Sequence, residues 1–517
     1  MGLKSKVFPN SYRDSVLLMK MAGMVRKIEG VENAEVIIAT EANKGILEFN
    51  GLLTEEIRRA TPNDLVVSVI AGDETVIEKA IAAVEDMIFN GLEDDKGGKV
   101  TYSAKSIAGA LAMEPEADLA ILSIPGPLVK KDAMKLLDSG VNLLIFSDNV
   151  PIEDELELKR KADEKGLMVM GPDCGTAIVR GASLAFANKV RQGKIGMVCA
   201  SGTGLQEVAV LIHNLGQGIS HALGTGSNDV KDAIGGISMK RGLKWLEQDG
   251  STELIVVVSK PPQKATMENL KEEFKKCRKP VIVNFLGSSQ PVKRDGNVYY
   301  TDTLEETALK ALELAGETVD DSVAVPEDVL ADIRRERELH RHKGGYMRAL
   351  YTGGTLGTEA AIICRDILSG LTTNLTVPGV EKMADYNVST KNCILDLGAD
   401  EFTLGKPHPM IEPEMKNQRL LKEAADPETA VILLDFVLGY GVNADPAGNT
   451  LYEIDKAREI TESQGRHITF VASVTGTDED PQNREEQIRV LKDHGVLVLP
   501  SNAQAVRAAV EIVKECR

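Results

Sequence analysis

The feature that most constrains this chain is an internal duplication. Ile195 to Ala209, IGMVCASGTGLQEVA, aligns without a gap to Met347 to Ala361, MRALYTGGTLGTEAA. In both copies an apolar strand run enters a turn of small residues and then a helix that carries Glu in its first turns. The parallel continues in order: ALGTGSND (222–229) with LDLGADEF (395–402), LIVVVSK (254–260) with VILLDFV (431–437), and VIVNFLG (281–287) with ITFVASV (468–474). A repeat of this kind reveals the folding unit. Short β-branched runs alternating with longer amphipathic stretches are the signature of βαβ units on a parallel sheet, so each copy reads as one flavodoxin-like domain.

The 517 residues are about three times a typical domain of roughly 150, which leaves room for further units. AILSIP (120–125) and LLIFSD (143–148) extend the strand pattern upstream of the first copy. Residues 1–100 hold two strand and helix pairs, AEVIIAT (34–40) after a helix near 14–28 and LVVSVIAG (65–72) before one near 74–89. They fit either a ferredoxin-like sandwich or an altered start of the next domain. Residues 316–345 lose strand periodicity, become dense in charge and end in two glycines, which predicts a linker with one solvated helix. His340 and His342 within it read as surface residues, because nothing nearby in the sequence completes a ligand set. The expected plan is α/β throughout: a small α+β unit (1–100), a Rossmann-like domain (101–190), a first flavodoxin-like domain (191–315), the charged linker (316–345) and a second flavodoxin-like domain (346–517).

Aromatic residues make up only 4% of the chain against 43% apolar types, so the cores must be aliphatic. A net charge of −18 opposes binding to nucleic acid or to an anionic membrane. No run approaches the roughly 20 apolar residues of a membrane span, and the start MGLKSKVFPNSYRDS lacks the apolar centre of a signal peptide, so a cytoplasmic location is expected. The six cysteines show no C-x-x-C pair and no His at metal-ligand spacing, which points to reduced thiols and no metal.

The chemistry lies in the turns. A strand ending in Ser201-Gly202-Thr203-Gly204 and opening a helix leaves unpaired backbone N–H groups and the positive end of the helix dipole at the C-terminal edge of the sheet. The second copy offers Gly353-Gly354-Thr355 at the matched place. Ser, Thr and Gly also cap helices for structural reasons alone, but the recurrence favours an anion site. Packing about a pseudo-twofold axis would then set the two helix starts across one phosphate or carboxylate. A third turn, Gly171-Pro172-Asp173-Cys174-Gly175-Thr176, follows LMVM (167–170) at the usual ligand edge of an open sheet. Asp173 is its polar candidate, while Cys174 has no His in the motif to lower its pKa and reads as a structural or ligand-lining thiol. His408, in GKPHPMIEP (405–413), joins Pro172, Asp173 and Cys174 as a pocket candidate. Asp435 and Asp445, in the long loop expected over 435–449, either orient a ligand or make turns.

Together these motifs resemble the succinyl-CoA synthetase superfamily of NDP-forming acyl-CoA ligases. Residues of about 117–312 are similar to the alpha subunit, with GPDCGTAI in place of its GPNCPG turn, and residues of about 346–517 to the terminal ligase domain of the beta subunit. Within the superfamily the chain is similar to the FdrA family through SGTGLQEV, LGTGSNDV, YTGGTLGTEAA and LDFVLGYG. The resemblance implies a Rossmann-like CoA-binding-type domain beside two ligase domains. It implies that Ser201, Gly202 and Thr203, with Gly353, Gly354 and Thr355, face a travelling phosphate. Three departures stand out: ATEANKG (39–45) replaces the Gly-rich CoA loop, no His occurs between His221 and His340 where the family carries its phosphohistidine, and no ATP-grasp domain precedes the second copy.

No cofactor is therefore assigned, and CoA or nucleotide enters only through a partner or a modified site. The expected function is action on an acyl phosphate, foremost carbamoyl transfer as an FdrA-type subunit of oxamate carbamoyltransferase in anaerobic allantoin breakdown, within a hetero-oligomer. The alternatives are a subunit of a succinate-CoA-ligase-like acyl-CoA synthetase and a non-catalytic scaffold that binds an anionic metabolite. A nicotinamide-dependent dehydrogenase is disfavoured, since no G-x-G-x-x-G follows the early strands.

Overall fold

The computed structural model describes residues 2–9, 11, 15–28, 30–90, 104–288, 292–317, 324–403, 406–514 and 516. The N-terminal unit contains β1 (Gly2–Phe8), α1 (Ser15–Arg26), β2 (Val31–Ile38), α2 (Glu41–Phe49), α3 (Glu55–Arg59), β3 (Leu65–Ala71) and α4 (Glu74–Asn90). Its sheet has the order β1-β3-β2, with β3 antiparallel to both neighbours. The β1-α1-β2 segment is thus a split βαβ unit with β3 inserted, the ferredoxin-like arrangement. Val67 and Val69 point to one face, with Leu18, Val25 and Val84, while Val66 points to the other, with Leu47, Leu52 and Ile57. Burial on both faces explains why LVVSVIA is apolar nearly throughout rather than alternating.

The second body begins with α5 (Ile107–Met113), β4 (Leu119–Leu122), α6 (Gly126–Asp138), β5 (Asn142–Ile145), α7 (Ile152–Lys165) and β6 (Val169–Met170). The three strands form a small parallel sheet. Helix α7 stops at Gly166, whose φ of 74° is the left-handed cap that glycine adopts without strain. Residues 176–185 form a hairpin, β7 (Thr176–Val179) and β8 (Ala182–Ala185), and β7 pairs antiparallel with β10 of the next sheet. The ladder thus joins this hairpin to the first ligase sheet.

That sheet is built from β9 (Gln192–Cys199), α8 (Gly202–Asn214), β10 (Ile219–Gly224), α9 (Ile237–Gln248), β11 (Leu254–Ser259), α10 (Lys264–Lys276), β12 (Val281–Phe285), β13 (Arg294–Asp295), β14 (Val298–Tyr300) and α11 (Leu304–Leu314). Helix α12 (Glu327–His340) follows. The second copy contains β15 (Tyr346–Tyr351), α13 (Gly354–Cys364), β16 (Thr372–Thr373), β17 (Glu381–Lys382), β18 (Cys393–Asp396), α14 (Asp400–Thr403), α15 (Glu414–Ala425), β19 (Thr429–Val437), α16 (Gly448–Ser463), β20 (Thr469–Thr475), α17 (Arg484–Asp493), β21 (Leu497–Leu499) and α18 (Asn502–Lys514).

The strand orders carry the duplication into three dimensions. In the first copy β10-β9-β11-β12-β14 lie side by side and parallel, and in the second β18-β15-β19-β20-β21 do so. Numbered within each copy, both read 2-1-3-4-5, the doubly wound flavodoxin order, whose ligand edge is the C-terminal end of the strands. One apolar cluster runs through both copies, joining Leu205, Val208 and Ile212 of α8 to Leu356, Ala360 and Cys364 of α13 and to Val506 and Val510 of α18. Matched glutamates tie the copies reciprocally. Glu207 on α8 accepts from the amide of Asn502 at the start of α18 (2.9 Å), and Glu359 on α13 accepts from the amide of Leu304 at the start of α11 (2.7 Å). Each helix start thereby gains an acidic cap from the opposite copy.

The charged connection departs from expectation. Residues 318–323 of it lie outside the described part. Helix α12 is not solvated all round, since Val329, Ile333, Glu336 and His340 are buried, with Val329 and Ile333 in the same cluster as Val506 and Val510. His340, expected at the surface, is buried beside Glu336 and His467, and burial foremost holds its imidazole down to about 4.

Candidate functional site

The two duplicated turns meet at the C-terminal edges of both sheets. Ser201 caps α8, its hydroxyl accepting from the amide of Gly204 at 3.1 Å. The same hydroxyl lies 2.6 Å from that of Thr355 in α13. A Cβ on Gly353 would sit 3.0 Å from the methyl of Thr203. Ser201 matches Gly353 and Thr203 matches Thr355 in the alignment, so these two contacts are equivalent under the pseudo-twofold. The helix starts therefore touch directly, rather than standing apart on either side of a ligand. Gly204 permits the approach: a Cβ there would lie 2.6 Å from the Ser201 hydroxyl and 3.0 Å from both Thr355 and Val258.

The two starts are electrostatically unlike. Among the described residues no acceptor meets the amides of Gly202 and Thr203, and Gly202 is exposed. At the second start, the buried carboxylate of Asp435 accepts from the amide of Thr352 (2.8 Å), the Thr352 hydroxyl (3.1 Å) and the amide of Gly353 (2.8 Å). Asp435 was expected in a loop, yet β19 runs on to Val437 and holds it inside the sheet. Burial raises its carboxyl, and the buried Lys416, whose ammonium donates to the Asp435 carbonyl (3.2 Å) and sits over the Phe436 ring, offsets this. Asp445, by contrast, makes a turn, accepting from the Gly448 amide at the start of α16. A second carboxylate stands at α13: Asp396 ends β18, and its Oδ2 lies 2.5 Å from where a Cβ on Gly354 would be. Burial pushes its carboxyl up to about 7, while Lys260, at the end of β11, pulls it back.

The third turn packs on the first copy. The carbonyl of Pro172 closes against Gly226, and the thiol of Cys174 lies 2.5 Å from where a Cβ on Gly224 would stand. Cys174 is buried and its thiol is pushed up to about 12 by desolvation, so it is a packed, protonated group and not a nucleophile. Asp173 is exposed at its edge but set in a crowded recess. Desolvation there raises its carboxyl to about 6, Asp148, Asp400 and Glu155 add to the rise, and the Ser227 hydroxyl (3.1 Å) opposes it. Beneath, Lys159 is fully buried between Glu155 (2.8 Å) and Asp229 (2.9 Å) and fixes the 225–229 loop by donating to the Thr225 carbonyl. His408 lies half-buried with Nε2 against Gly398, and its Nδ1 accepts from the Met410 amide (3.2 Å), which puts the proton of the neutral ring on Nε2. Burial holds it neutral, down to about 4.

The crest thus unites Ser201, Gly202 and Thr203 with Gly353, Gly354 and Thr355, brings His408 to the second copy's rim, and leaves the Cys174 side chain buried below Gly224. Sequence reading missed Asp396 and Lys260. The signal for Asp396 and for the true place of Asp435 was present: each is a carboxylate inside an apolar strand run, CILDLG and VILLDFV, where an ionisable side chain is costly unless it has partners.

Comparison with known proteins agrees with this architecture. The uncharacterized protein YahF of Escherichia coli is 40% identical over 516 residues, 99% of each chain. The chain belongs to the FdrA family. In this FdrA-family chain, residues 350–512 match the CoA-ligase family, and residues 1–103 match the AllF heavy metal-associated domain. The malate–CoA ligase subunit alpha of Methylorubrum extorquens is 32% identical over 245 residues, 44% of this chain and 80% of that protein. Among solved structures, the apo dinucleotide forming acetyl-coenzyme A synthetase 1 of Ca. Korarchaeum cryptofilum is similar over 77% of this chain and 83% of that one, at 15% identity and a TM-score of 0.32. By its sequence matches the FdrA-family chain is a succinate-CoA-ligase-like protein with an AllF-like N-terminal unit. Among its described residues no helix is long and apolar enough to cross a membrane.

Proposed function

We propose that this chain is the acyl-phosphate-handling subunit of an acyl-CoA-ligase-type enzyme. The observation that carries the proposal is the open pair of amides at Gly202 and Thr203, which has no carboxylate beside it, set against the second start, where Asp435 holds the amide of Gly353 and Asp396 crowds Gly354. A phosphate lodges on the first start, with Ser201 and Thr203 as hydroxyl partners and Lys260, which also acts on Asp396, as the cation, while Gly353, Gly354 and Thr355 of the touching second start lie beside it. In the transfer step a thiolate attacks the acyl carbon, a C–S bond forms, the C–O bond to phosphate breaks, and the leaving phosphate is stabilised by N–H groups already in place. Asp173, raised towards neutrality, and the Nε2–H of His408 flank the acyl group. Relatives named as alpha subunits of malate–CoA and succinate–CoA ligases support this reading and imply that a partner subunit supplies nucleotide handling.

A second reading, carbamoyl transfer between carbamoyl phosphate and oxamate, is favoured by two specific observations: the AllF-type match over residues 1–103 and the absence of any His between His221 and His340. In that step the oxamate amide nitrogen attacks the carbamoyl carbon, loses a proton, and phosphate leaves from the same seat.

Thr203→Glu tests the shared phosphate seat. Titration calorimetry with inorganic phosphate is expected to show affinity reduced by about 100-fold, because the new carboxylate takes the place of the anion at the helix start. Unchanged affinity with the fold intact overturns the seat. Submicromolar CoA binding to the purified chain supports the ligase reading, whereas phosphate release from carbamoyl phosphate plus oxamate, with CoA absent, supports the second.

A further inference from the structure

Far from the crest, a compact set of polar side chains joins the connecting helix to the second ligase sheet. Helix α12 places Glu336 and His340 four residues apart, on one face. His467 lies two residues before Thr469, which opens β20. One ligand atom each from Glu336, His340 and His467 lies within 4.8 Å of the other two, and among the described residues no other three His, Cys, Asp or Glu side chains meet that condition. Oε2 of Glu336 is 2.6 Å from Nε2 of His467 and accepts from the Thr469 hydroxyl at 2.6 Å, and Nε2 of His340 is 2.8 Å from that hydroxyl. Arg335 approaches the other oxygen of Glu336 at 3.4 Å, leaving Oε2 turned to the histidines.

We infer that Glu336, His340 and His467 form a binding site for a divalent first-row transition metal, with zinc the best fit. Two imidazoles and one carboxylate are a set that zinc accepts as three protein ligands with one position open. The open side faces solvent at His467, whose side chain is 40% exposed, while His340 and Glu336 form the buried wall. On binding, each neutral imidazole carries its proton on Nδ1 and presents the Nε2 lone pair. Thr469 continues to donate to Glu336, orienting the ligating carboxylate from outside the coordination sphere. The site lies at the N-terminal end of β20, whereas the crest lies at the opposite end of the strands, so the metal clamps α12 to the sheet and takes no part in phosphate chemistry.

The test uses the full chain, dialysed against a chelator and titrated with Co²⁺ while its visible d–d absorption is followed, then challenged with Zn²⁺. A band that saturates at one equivalent and is bleached by zinc is expected. His467→Ala and His340→Ala are each expected to weaken Co²⁺ binding by about 100-fold, the upper range for losing even an outer-sphere partner. His342→Ala, on an exposed neighbour, is expected to leave it unchanged. Absence of a saturable band, or a band that survives both ligand substitutions, overturns the inference. If His340→Ala does not fold, His467→Ala at the exposed edge decides alone.

Discussion

In the first ligase copy the amide of Ala200 ends on the backbone carbonyl of Val258; at the matched place in the second, the amide of Thr352 ends on the carboxylate of Asp435. A carboxylate is added again one strand away, where the strand register sets Gly224 of the first copy at the place of Asp396 in the second. Two copies of one fold thus present opposite helix starts. One is lined by Val258 and Gly224 and has no carboxylate beside its open amides, and the other carries its own internal anions, Asp435 and Asp396. The difference teaches that a helix N-terminus is an anion site only when the sheet beneath it has not already supplied the anion.

The comparison breaks most readily at Asp435. Asp435→Ala leaves the amides of Thr352 and Gly353 without their partner and the buried Lys416 without its counter-charge, and is expected to cost about 3 kcal/mol in urea denaturation. At the matched position Val258→Ala preserves a bond made by backbone alone and is expected to cost about 1 kcal/mol, from lost packing. Equal costs would mean that the two starts are held together in the same way. Asp396 gives the next largest effect, and its sign follows from its raised carboxyl. Near pH 4 the unfolded form begins to lose its proton, while the folded form still holds it. Between there and about 7 the folded form keeps a proton that the unfolded form has lost, so stability falls as pH rises through that window. Asp396→Asn is therefore expected to be more stable than the parent by about 2 kcal/mol at pH 8 and indistinguishable from it at pH 4. Denaturation at the two pH values checks this. The smallest effect belongs to the side-chain cap that only the first start possesses: Ser201→Ala is expected to lower stability by about 1 kcal/mol, measured as a shift in Tm.

The duplication, the flavodoxin-like plan of each copy and the small-residue turn that opens α8 were legible in the sequence, because parallel strands buried on both faces print as apolar runs and small-residue turns print as Ser, Thr and Gly. What escaped was set by distant contacts. Asp435 looked like the first residue of a glycine-rich loop, since nothing local shows that β19 continues past it to meet Thr352. His340 looked solvated because α12 is dense in charge and its few apolar positions, Val329 and Ile333, find their partners only on α18. The hairpin at 176–185 was assigned to the preceding unit, because a ladder to β10 cannot be read from eight residues. Asp396 and Lys260 approach one another only because β18 and β11 end at the same crest.

The crossed glutamates have a consequence for how the molecule is made. When the first copy leaves the ribosome, the start of α11 is still missing the carboxylate of Glu359, which lies 55 residues further along the chain. Glu207 in turn faces no helix start until Asn502, 295 residues further along, has appeared. Neither half can reach its final form during synthesis of the other. The two mature together, in fixed one-to-one proportion, as a single polypeptide guarantees and two separate chains would not.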